Sequence, residues 1–210
     1  MKILQVNTSD VEGGAAVIAR NLMLAYQDLG HQSFMAVGRK ESLDDCVSII
    51  PKIDNPARSK KAILSLDTFL KDKSQNIQGL WRLRQITTRL SEDKTTKEIR
   101  KGWENFNFPD TYQLLNFVPE DPDIIHLHNL HGGYFDLRAL PTISEKVPTI
   151  ITLHDMWLLT GHCAHSMSCD RWRTGCGQCP DLEIYPDIKK DATAFNLRRK
   201  KKRLLAVLCG

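Results

Sequence analysis

The sequence predicts an α/β fold, a Rossmann-like open parallel sheet with flanking helices. Two observations carry this prediction. Short apolar runs alternate with segments of helical periodicity over residues 2–50, and the same alternation returns over residues 123–153. A strand, a helix and a second strand in this order form a βαβ unit, whose right-handed crossover makes its two strands parallel. We therefore expect one sheet with helices on its faces.

The first unit opens with an apolar run at residues 2–6, which predicts the first strand. Residues 15–29 carry apolar side chains on one helical face, and Gly30 is placed to cap this helix at its C-terminus. Residues 32–37 predict the second strand, and residues 47–50 predict a short third strand.

The middle of the chain, residues 54–110, differs in composition. It is rich in Lys and Arg and contains no clear strand. Apolar residues at helical spacing within 63–70 and 81–90 predict two amphipathic helices. We interpret this stretch as a helical insertion in a single domain that spans residues 1–210.

The second unit predicts a strand at 123–128, a helix around 135–144 and a buried strand at 149–153. A loop that contains four cysteines follows at residues 160–180. A basic helix is predicted at about 192–208. The sheet therefore resumes after the insertion and is followed by a loop and a terminal helix.

The composition limits the possible functions. Of the 210 residues, 41% are hydrophobic and 26% are charged, which is enough to bury a core. The net charge of +4 is too small to imply a nucleic-acid partner by itself. No apolar run approaches the ~18 residues of a membrane-spanning helix, and the N-terminus turns polar too early for a signal peptide. We expect a cytoplasmic protein, in which clustered thiols favour metal or redox chemistry over structural disulfides.

The first predicted site lies at the end of the strand at 149–153, where His154 and Asp155 follow. Parallel α/β sheets bind ligands at the carboxyl ends of their strands. A histidine there can donate a hydrogen bond to a sugar hydroxyl or a phosphate, or move a proton. The alternative is that His154 caps the following turn and Asp155 caps a helix.

Three further histidines lie near the end of the strand at 123–128. His126 and His128 face the same side of a strand, so they could form a metal pair, but no neighbouring carboxylate or cysteine completes the set. For His126 we favour an interior role. Asn129 and His131 are better placed to line the ligand crevice.

The first strand–helix loop contains Gly13 and Gly14 but no G-x-G-x-x-G motif, which argues against a nicotinamide or flavin site. Adjacent glycines at a helix N-terminus allow a ligand to approach exposed backbone N–H groups, and such a terminus favours anions. The alternative is a tight turn without a ligand.

The cysteine loop has the spacing C-x5-C-x6-C-x2-C. Four thiolates can complete a tetrahedral zinc shell, and such a closed shell would be structural rather than catalytic. Unligated thiols or disulfides are the alternatives. A redox role is weaker, because a redox C-x-x-C should open a helix, whereas Pro180 follows at once. The predicted zinc ligands are Cys163, Cys169, Cys176 and Cys179, with His162 and His165 in reserve.

The basic run at residues 198–203 could bind anionic lipid or a nucleic-acid backbone. We interpret it instead as the solvated face of a helix. The tryptophans Trp103, Trp157 and Trp172 are interpreted as packing residues, with Trp157 close to the predicted crevice.

Several of these segments resemble one known family. The chain resembles the N-terminal half of family 4 glycosyltransferases, in particular the bacterial polysaccharide-assembly branch that carries a cysteine-bearing loop. The matching segments are residues 1–7, Gly13-Gly14-Ala15-Ala16, Asp123-Ile124-Ile125-His126-Leu127-His128-Asn129, Thr152-Leu153-His154-Asp155, Thr160-Gly161-His162-Cys163, Trp172, Gly175-Cys176 and Cys179-Pro180.

The resemblance implies a GT-B fold of two Rossmann-like domains with the active site between them. Such hexosyltransferases move a sugar from a nucleotide-sugar donor to an acceptor, with retention at the anomeric carbon and without a catalytic metal. His154 would be the catalytic residue that contacts the donor sugar. Gly13 and Gly14 would lie against the donor diphosphate and the acceptor, and Asn129, His131 and Asp155 complete the predicted substrate-binding set.

In this family a second domain supplies basic residues for the diphosphate and a glutamate pair near the sugar. We expect no part of the 210 residues to supply that domain. We therefore expect an acceptor-side half, incomplete alone, whose donor domain was lost by truncation or lies on a partner chain. The expected partners are the nucleotide-sugar donor, a glycan or lipid-linked acceptor and the inner membrane surface, and not nucleic acid.

Two other functions remain open. The chain could be a non-catalytic scaffold that binds a glycan or a lipid carrier for a partner transferase. It could also be a zinc-stabilised nucleic-acid binder. We disfavour the nucleic-acid binder, because the basic run lies about 20 residues from the cysteines and has no interleaved aromatic residues.

Overall fold

The computed structural model describes residues 1–51 and 94–208. For Leu208 it describes the backbone alone. It contains an open sheet of five parallel strands in the order β3-β2-β1-β4-β5, which confirms the predicted Rossmann-like α/β fold. The strands are β1 (Lys2–Ser9), β2 (Gln32–Arg39), β3 (Val47–Ile49), β4 (Ile124–Leu127) and β5 (Thr149–Ile151).

Helices flank this sheet. The α-helices of the described residues are α1 (Gly14–Asp28), α2 (Lys94–Arg100), α3 (Leu140–Ser144) and α4 (Thr193–Leu208). Short 3-10 segments occupy Pro109–Phe117, Leu137–Ala139, Trp157–Leu159 and Arg171–Arg173. Of the predicted insertion, only its end falls within the described residues. The two helices predicted within 63–70 and 81–90 lie outside them.

The two faces of the sheet bury different sets of side chains, because side chains alternate along a strand. On one face Leu4 of β1 and its register partner Ile125 of β4 belong to the main core, together with residues of α3. On the other face Met35 of β2 packs with Ala19 and Met23 of α1. The second set is smaller, and it leaves room on that face for the polar side chains described below.

The end of α1 confirms the predicted cap at Gly30. Its φ of +81° lies in the left-handed region, which glycine adopts without strain. The Gly30 N–H donates to the Gln27 carbonyl at 2.9 Å, and the His31 N–H donates to the Tyr26 carbonyl at 2.9 Å. These two bonds satisfy carbonyl groups that the helix leaves unpaired, and they turn the chain directly into β2.

Strand β5 corrects the prediction for residues 149–153. It ends at Ile151, and Ile150 is 49% exposed rather than buried. The reason is position, because within the described residues β5 pairs only with β4 and forms the edge of the sheet. Leu153, predicted as the last strand residue, is exposed in the following loop.

Helix α4 corrects the interpretation of the basic run. Arg198, Lys201 and Lys202 are exposed as expected, but Lys200 is fully buried. Its Nζ lies 2.9 Å from Glu104 Oε1 and donates to the Trp157 carbonyl at 2.8 Å. A buried ammonium group needs such partners, because desolvation of an unpaired charge is costly. No helix in the described part of the chain is long and apolar enough to cross a membrane.

Candidate functional site

The ends of β1 and β4 are fastened together at the carboxyl edge of the sheet. The Thr8 hydroxyl donates to the backbone carbonyl of His131 at 2.9 Å. The Asn129 N–H donates to Asn7 Oδ1 at 3.2 Å. Gly132 follows with φ +95°, and a Cβ there would come within 2.6 Å of the Thr8 methyl carbon. The loop that carries Asn129 and His131 is therefore held in one position against β1.

A row of hydrogen-bonded side chains crosses the sheet towards this edge. Gln5 of β1 and His126 of β4 are register partners, and His128 lies two residues further on the same face. His128 Nε2 lies 2.7 Å from Gln5 Oε1, and its Nδ1 lies 2.8 Å from His154 Nε2. The planes of the His128 and His154 rings differ by 24° and their centroids lie 5.1 Å apart, so this contact joins the two rings edge to edge. Thr152 is the partner of His126, at 2.7 Å from its Nε2.

These histidines are neutral near pH 7. Burial, with the neighbouring His126 and His154 rings adding to it, lowers the pKa of His128 to about 3. Burial also lowers the pKa of His154, although Asp155 opposes this shift. A neutral imidazole offers one N–H donor and one bare nitrogen acceptor. The cluster is thus suited to hydrogen bonding with neutral polar groups.

His131 and Asp155 form a second pair. Together with His128, His154 and Trp157 they line a crevice at the carboxyl edge of the sheet. His131 Nε2 lies 2.7 Å from Asp155 Oδ2, and the Trp157 N–H donates to Asp155 Oδ1 at 2.8 Å. Burial by itself raises the pKa of Asp155, but the hydrogen bonds from His131 and Trp157 outweigh it, so the pKa is lowered. Asp155 therefore caps the turn at Trp157–Leu159 and also orients His131. The Tyr185 hydroxyl lies 3.4 Å from His131 Nδ1.

Two hollows adjoin this pair. One has a volume of about 500 Å³, and its walls include His131, Trp157 and Tyr185. The other has a volume of about 430 Å³, and its walls include His131, Asp155, His165 and Tyr185. A mixture of aromatic faces and a few polar groups is typical of small-molecule sites.

Gly13 and Gly14 lie at the start of α1, and both are exposed. Gly13 has φ +93°, and α1 has no side-chain N-cap. A Cβ built on either glycine meets no atom within 4 Å, so open space adjoins the first turn of the helix. Among the described residues, no hydrogen bond connects these glycines to the histidines. Their N–H groups are accessible to an anion, but the structure does not itself join them to His154.

The four cysteines of the loop at residues 160–180 line one small pocket of about 30 Å³, together with His162. All four are free thiols. Burial raises the pKa of Cys176 and of Cys179, and each of these two thiols feels the charge of the other cysteines. Cys179 Sγ lies 3.5 Å from His162 Nε2. No group of three or more His, Cys, Asp or Glu side chains in the described ranges is arranged to hold a metal ion as it stands.

Sequence reasoning missed Gln5, Thr152 and Tyr185. A glutamine inside the apolar run at residues 2–6 is a visible signal, because a buried polar residue in a central strand needs a partner. Thr152 and Tyr185 gave no such signal. Their partners lie 26 and 54 residues away in sequence.

Comparison with known proteins relates the chain to a glycosyl transferase. Over 92 residues it is 36% identical to the putative colanic acid biosynthesis glycosyl transferase WcaC of Escherichia coli (strain K12), a segment that covers 40% of this chain and 22% of that protein. The chain thus spans about a fifth of the length of this relative. No protein-family model matches the chain, and no solved structure matches it. The similarity is to a transferase, while membership of family 4 stays a prediction.

Proposed function

We propose that this chain is the acceptor-side domain of a retaining GT-B glycosyltransferase. It would help to transfer a hexosyl group from a nucleotide-sugar donor to a glycan or lipid-linked acceptor in surface polysaccharide synthesis. Two observations support the proposal. The chain is similar to a glycosyl transferase, and its polar side chains cluster at the carboxyl edge of a parallel sheet.

The observation that carries the proposal is the position of His154 at the carboxyl edge of the sheet, where its Nε2 is held by His128 Nδ1. An imidazole without charge can hydrogen-bond to a sugar hydroxyl close to the reacting carbon. The hydrogen bond between His154 Nε2 and His128 Nδ1, at 2.8 Å, holds the ring in place. In our proposal the N–H groups of Gly13 and Gly14, at the exposed start of α1, face the leaving diphosphate. Oriented N–H donors stabilise the negative charge that develops on such a leaving group, which does not call for a catalytic metal.

The acceptor would occupy the hollows beside His131. Asp155 holds His131 in place, and Asn129 lies on the loop fastened to β1. We assign these three residues to acceptor binding. A donor-binding domain, in the same polypeptide or on a partner chain, completes the enzyme in this proposal. The reducing cytoplasm, close to the inner membrane surface, is the proposed location, because clustered thiols there favour metal binding over disulfides.

We further propose that Cys163, Cys169, Cys176 and Cys179 hold a structural zinc ion. The support is that the four thiols line one small pocket, although among the described residues they are not arranged to hold an ion as they stand, so binding requires them to rearrange. Formation of the zinc–thiolate bonds, with release of the thiol protons to solvent, would supply the free energy for this rearrangement. The ion would fasten the loop between β5 and α4.

The function is tested with the transferase in its complete or reconstituted form, by radiolabel transfer from UDP- and GDP-sugars to lipid-linked acceptors. His154→Ala should reduce turnover by at least about 100-fold, the loss that follows removal of one aligned hydrogen-bonding group at a reacting centre. The matched control is His31→Ala, because His31 lies between α1 and β2, at the amino ends of the strands and away from the proposed site. Undiminished turnover of His154→Ala would remove this residue from the mechanism. Glycan binding without turnover would favour the non-catalytic scaffold.

A further inference from the structure

Gln5, His128 and His154 form a continuous chain of hydrogen bonds from the middle of β1 to the crevice. The contacts measure 2.7 Å between Gln5 Oε1 and His128 Nε2, and 2.8 Å between His128 Nδ1 and His154 Nε2. Gln5 is completely buried, and His128 is 1% exposed. This series of hydrogen bonds therefore begins at two buried side chains, Gln5 and His128, and ends at His154, which is half-buried.

The direction of these hydrogen bonds is set at the buried end. A carbonyl oxygen only accepts, so His128 must carry its proton on Nε2 to meet Gln5 Oε1. His128 stays neutral near pH 7, because burial and the flanking histidines lower its pKa to about 3. With one proton on Nε2, its Nδ1 is a bare acceptor. His154 must then donate through Nε2.

The last step concerns the second nitrogen of His154. A neutral imidazole with its proton on Nε2 has a lone pair on Nδ1. Within the described residues, no hydrogen bond occupies this Nδ1. We propose that Gln5 and His128 are positioning residues that fix the tautomer of His154, so that its Nδ1 accepts a hydrogen bond from a ligand hydroxyl.

The proposal selects among ligands. A lone pair at Nδ1 can accept from a sugar hydroxyl, whereas a phosphate oxygen is itself an acceptor and would repel it. The ligand group that fits His154 is therefore a hydrogen-bond donor such as a sugar hydroxyl, and the diphosphate of a donor must bind elsewhere. This identification of the ligand as the sugar rests on the proposed function, but the tautomer itself does not.

This orientation of the Gln5 amide leaves one buried polar group unpaired within the described part of the chain. The side-chain nitrogen of Gln5 is buried and has no hydrogen-bond partner among the described residues. Turning the amide by half a turn would place this nitrogen on His128 and reverse every donor, so that His154 would present an N–H at Nδ1. The two directions make opposite predictions for the same atom, which gives a direct test.

The test is a long-range proton–nitrogen NMR spectrum of the imidazole rings of the chain at neutral pH. The chain has seven histidines, so each ring can be assigned by single substitutions. We expect His154 and His128 both to carry their proton on Nε2. Gln5→Met removes the acceptor at similar volume, and the His154 signals should move to a mixture of tautomers. A proton on Nδ1 of His154 in the unmodified chain would overturn the proposal.

A matched control separates the relay from general disturbance of the sheet. Thr152→Val removes the partner of His126 on the same face and should leave the tautomer of His154 unchanged. If Gln5→Met also leaves the tautomer unchanged, Gln5 has no positioning role. If Gln5→Met does not fold, the unmodified chain alone decides the direction. The spectrum needs no substrate, so an inactive transferase with the expected tautomer would refute the proposed function and leave this inference standing.

Discussion

The buried pair of Lys200 and Glu104 gives a stability prediction that can be worked out from the structure. Lys200 has no exposed side-chain surface and Glu104 has 7%, and their charged atoms lie 2.9 Å apart. Lys200→Met keeps most of the buried hydrocarbon but removes the charge. The carboxylate of Glu104 would then keep the Trp157 indole N–H, at 2.6 Å, as its remaining hydrogen-bond donor among the described residues.

The expected loss is about 3–5 kcal/mol in the free energy of unfolding, the cost of leaving one charge of a buried pair uncompensated. Lys200 also donates to the carbonyls of Trp157 and Thr160, at 2.8 and 3.3 Å, so these acceptors lose their charged donor as well. Both carbonyls belong to the turn after Asp155. The substitution should therefore loosen the crevice and destabilise the fold together.

Urea denaturation followed by tryptophan fluorescence measures this loss. Lys201→Met is the matched control, because Lys201 is an exposed neighbour on the same helix, and it should change stability by less than about 0.5 kcal/mol. Adding Glu104→Gln to Lys200→Met removes the orphaned charge and should recover about 2 kcal/mol or more. Equal losses for Lys200→Met and Lys201→Met, or no recovery in the double variant, would refute the reasoning.

Two further predictions concern acid stability and metal content. The pKa of Asp155 is lowered in the folded chain, so its stabilising contribution is present above the unfolded value of about 3.9 and is lost as the pH falls through the folded value. Asp155→Asn should therefore show a smaller loss of urea midpoint between pH 7 and 3, and parallel pH profiles would contradict this. If zinc occupies the cysteine loop, elemental analysis should find about one ion per chain. Cys176→Ser should lower that content whereas Cys46→Ser should not, and a metal-free chain with all thiols reduced would exclude the site.

The sequence predicted the elements of the sheet because their signals are local. Apolar runs placed strands β1 to β5 close to their observed positions, and the helical pattern at residues 15–29 differs from α1 by one residue at each end. The positions of His154, Asp155, Asn129 and His131 after strand ends also followed from local order. The predicted insertion has no comparable confirmation, since most of it lies outside the described residues.

Burial was predicted less well, because it depends on what packs against an element. An apolar strand such as β5 is half-exposed when it forms the edge of the described sheet. A basic run is not uniformly solvated when one of its members meets a buried carboxylate. Periodicity along a helix identifies faces, but it does not reveal that Glu104, 96 residues away, supplies the partner of Lys200.

The sequence by itself thus determined the order of the elements and the edge of the sheet where polar residues collect. Only the tertiary structure decided how those residues are connected. Gln5 and His128 are separated by 123 residues and become neighbours because β1 pairs with β4 in one particular register. A shift of that register by one residue would turn these side chains to the opposite face. Strand propensity is a local property, whereas register and burial arise from contacts between distant segments.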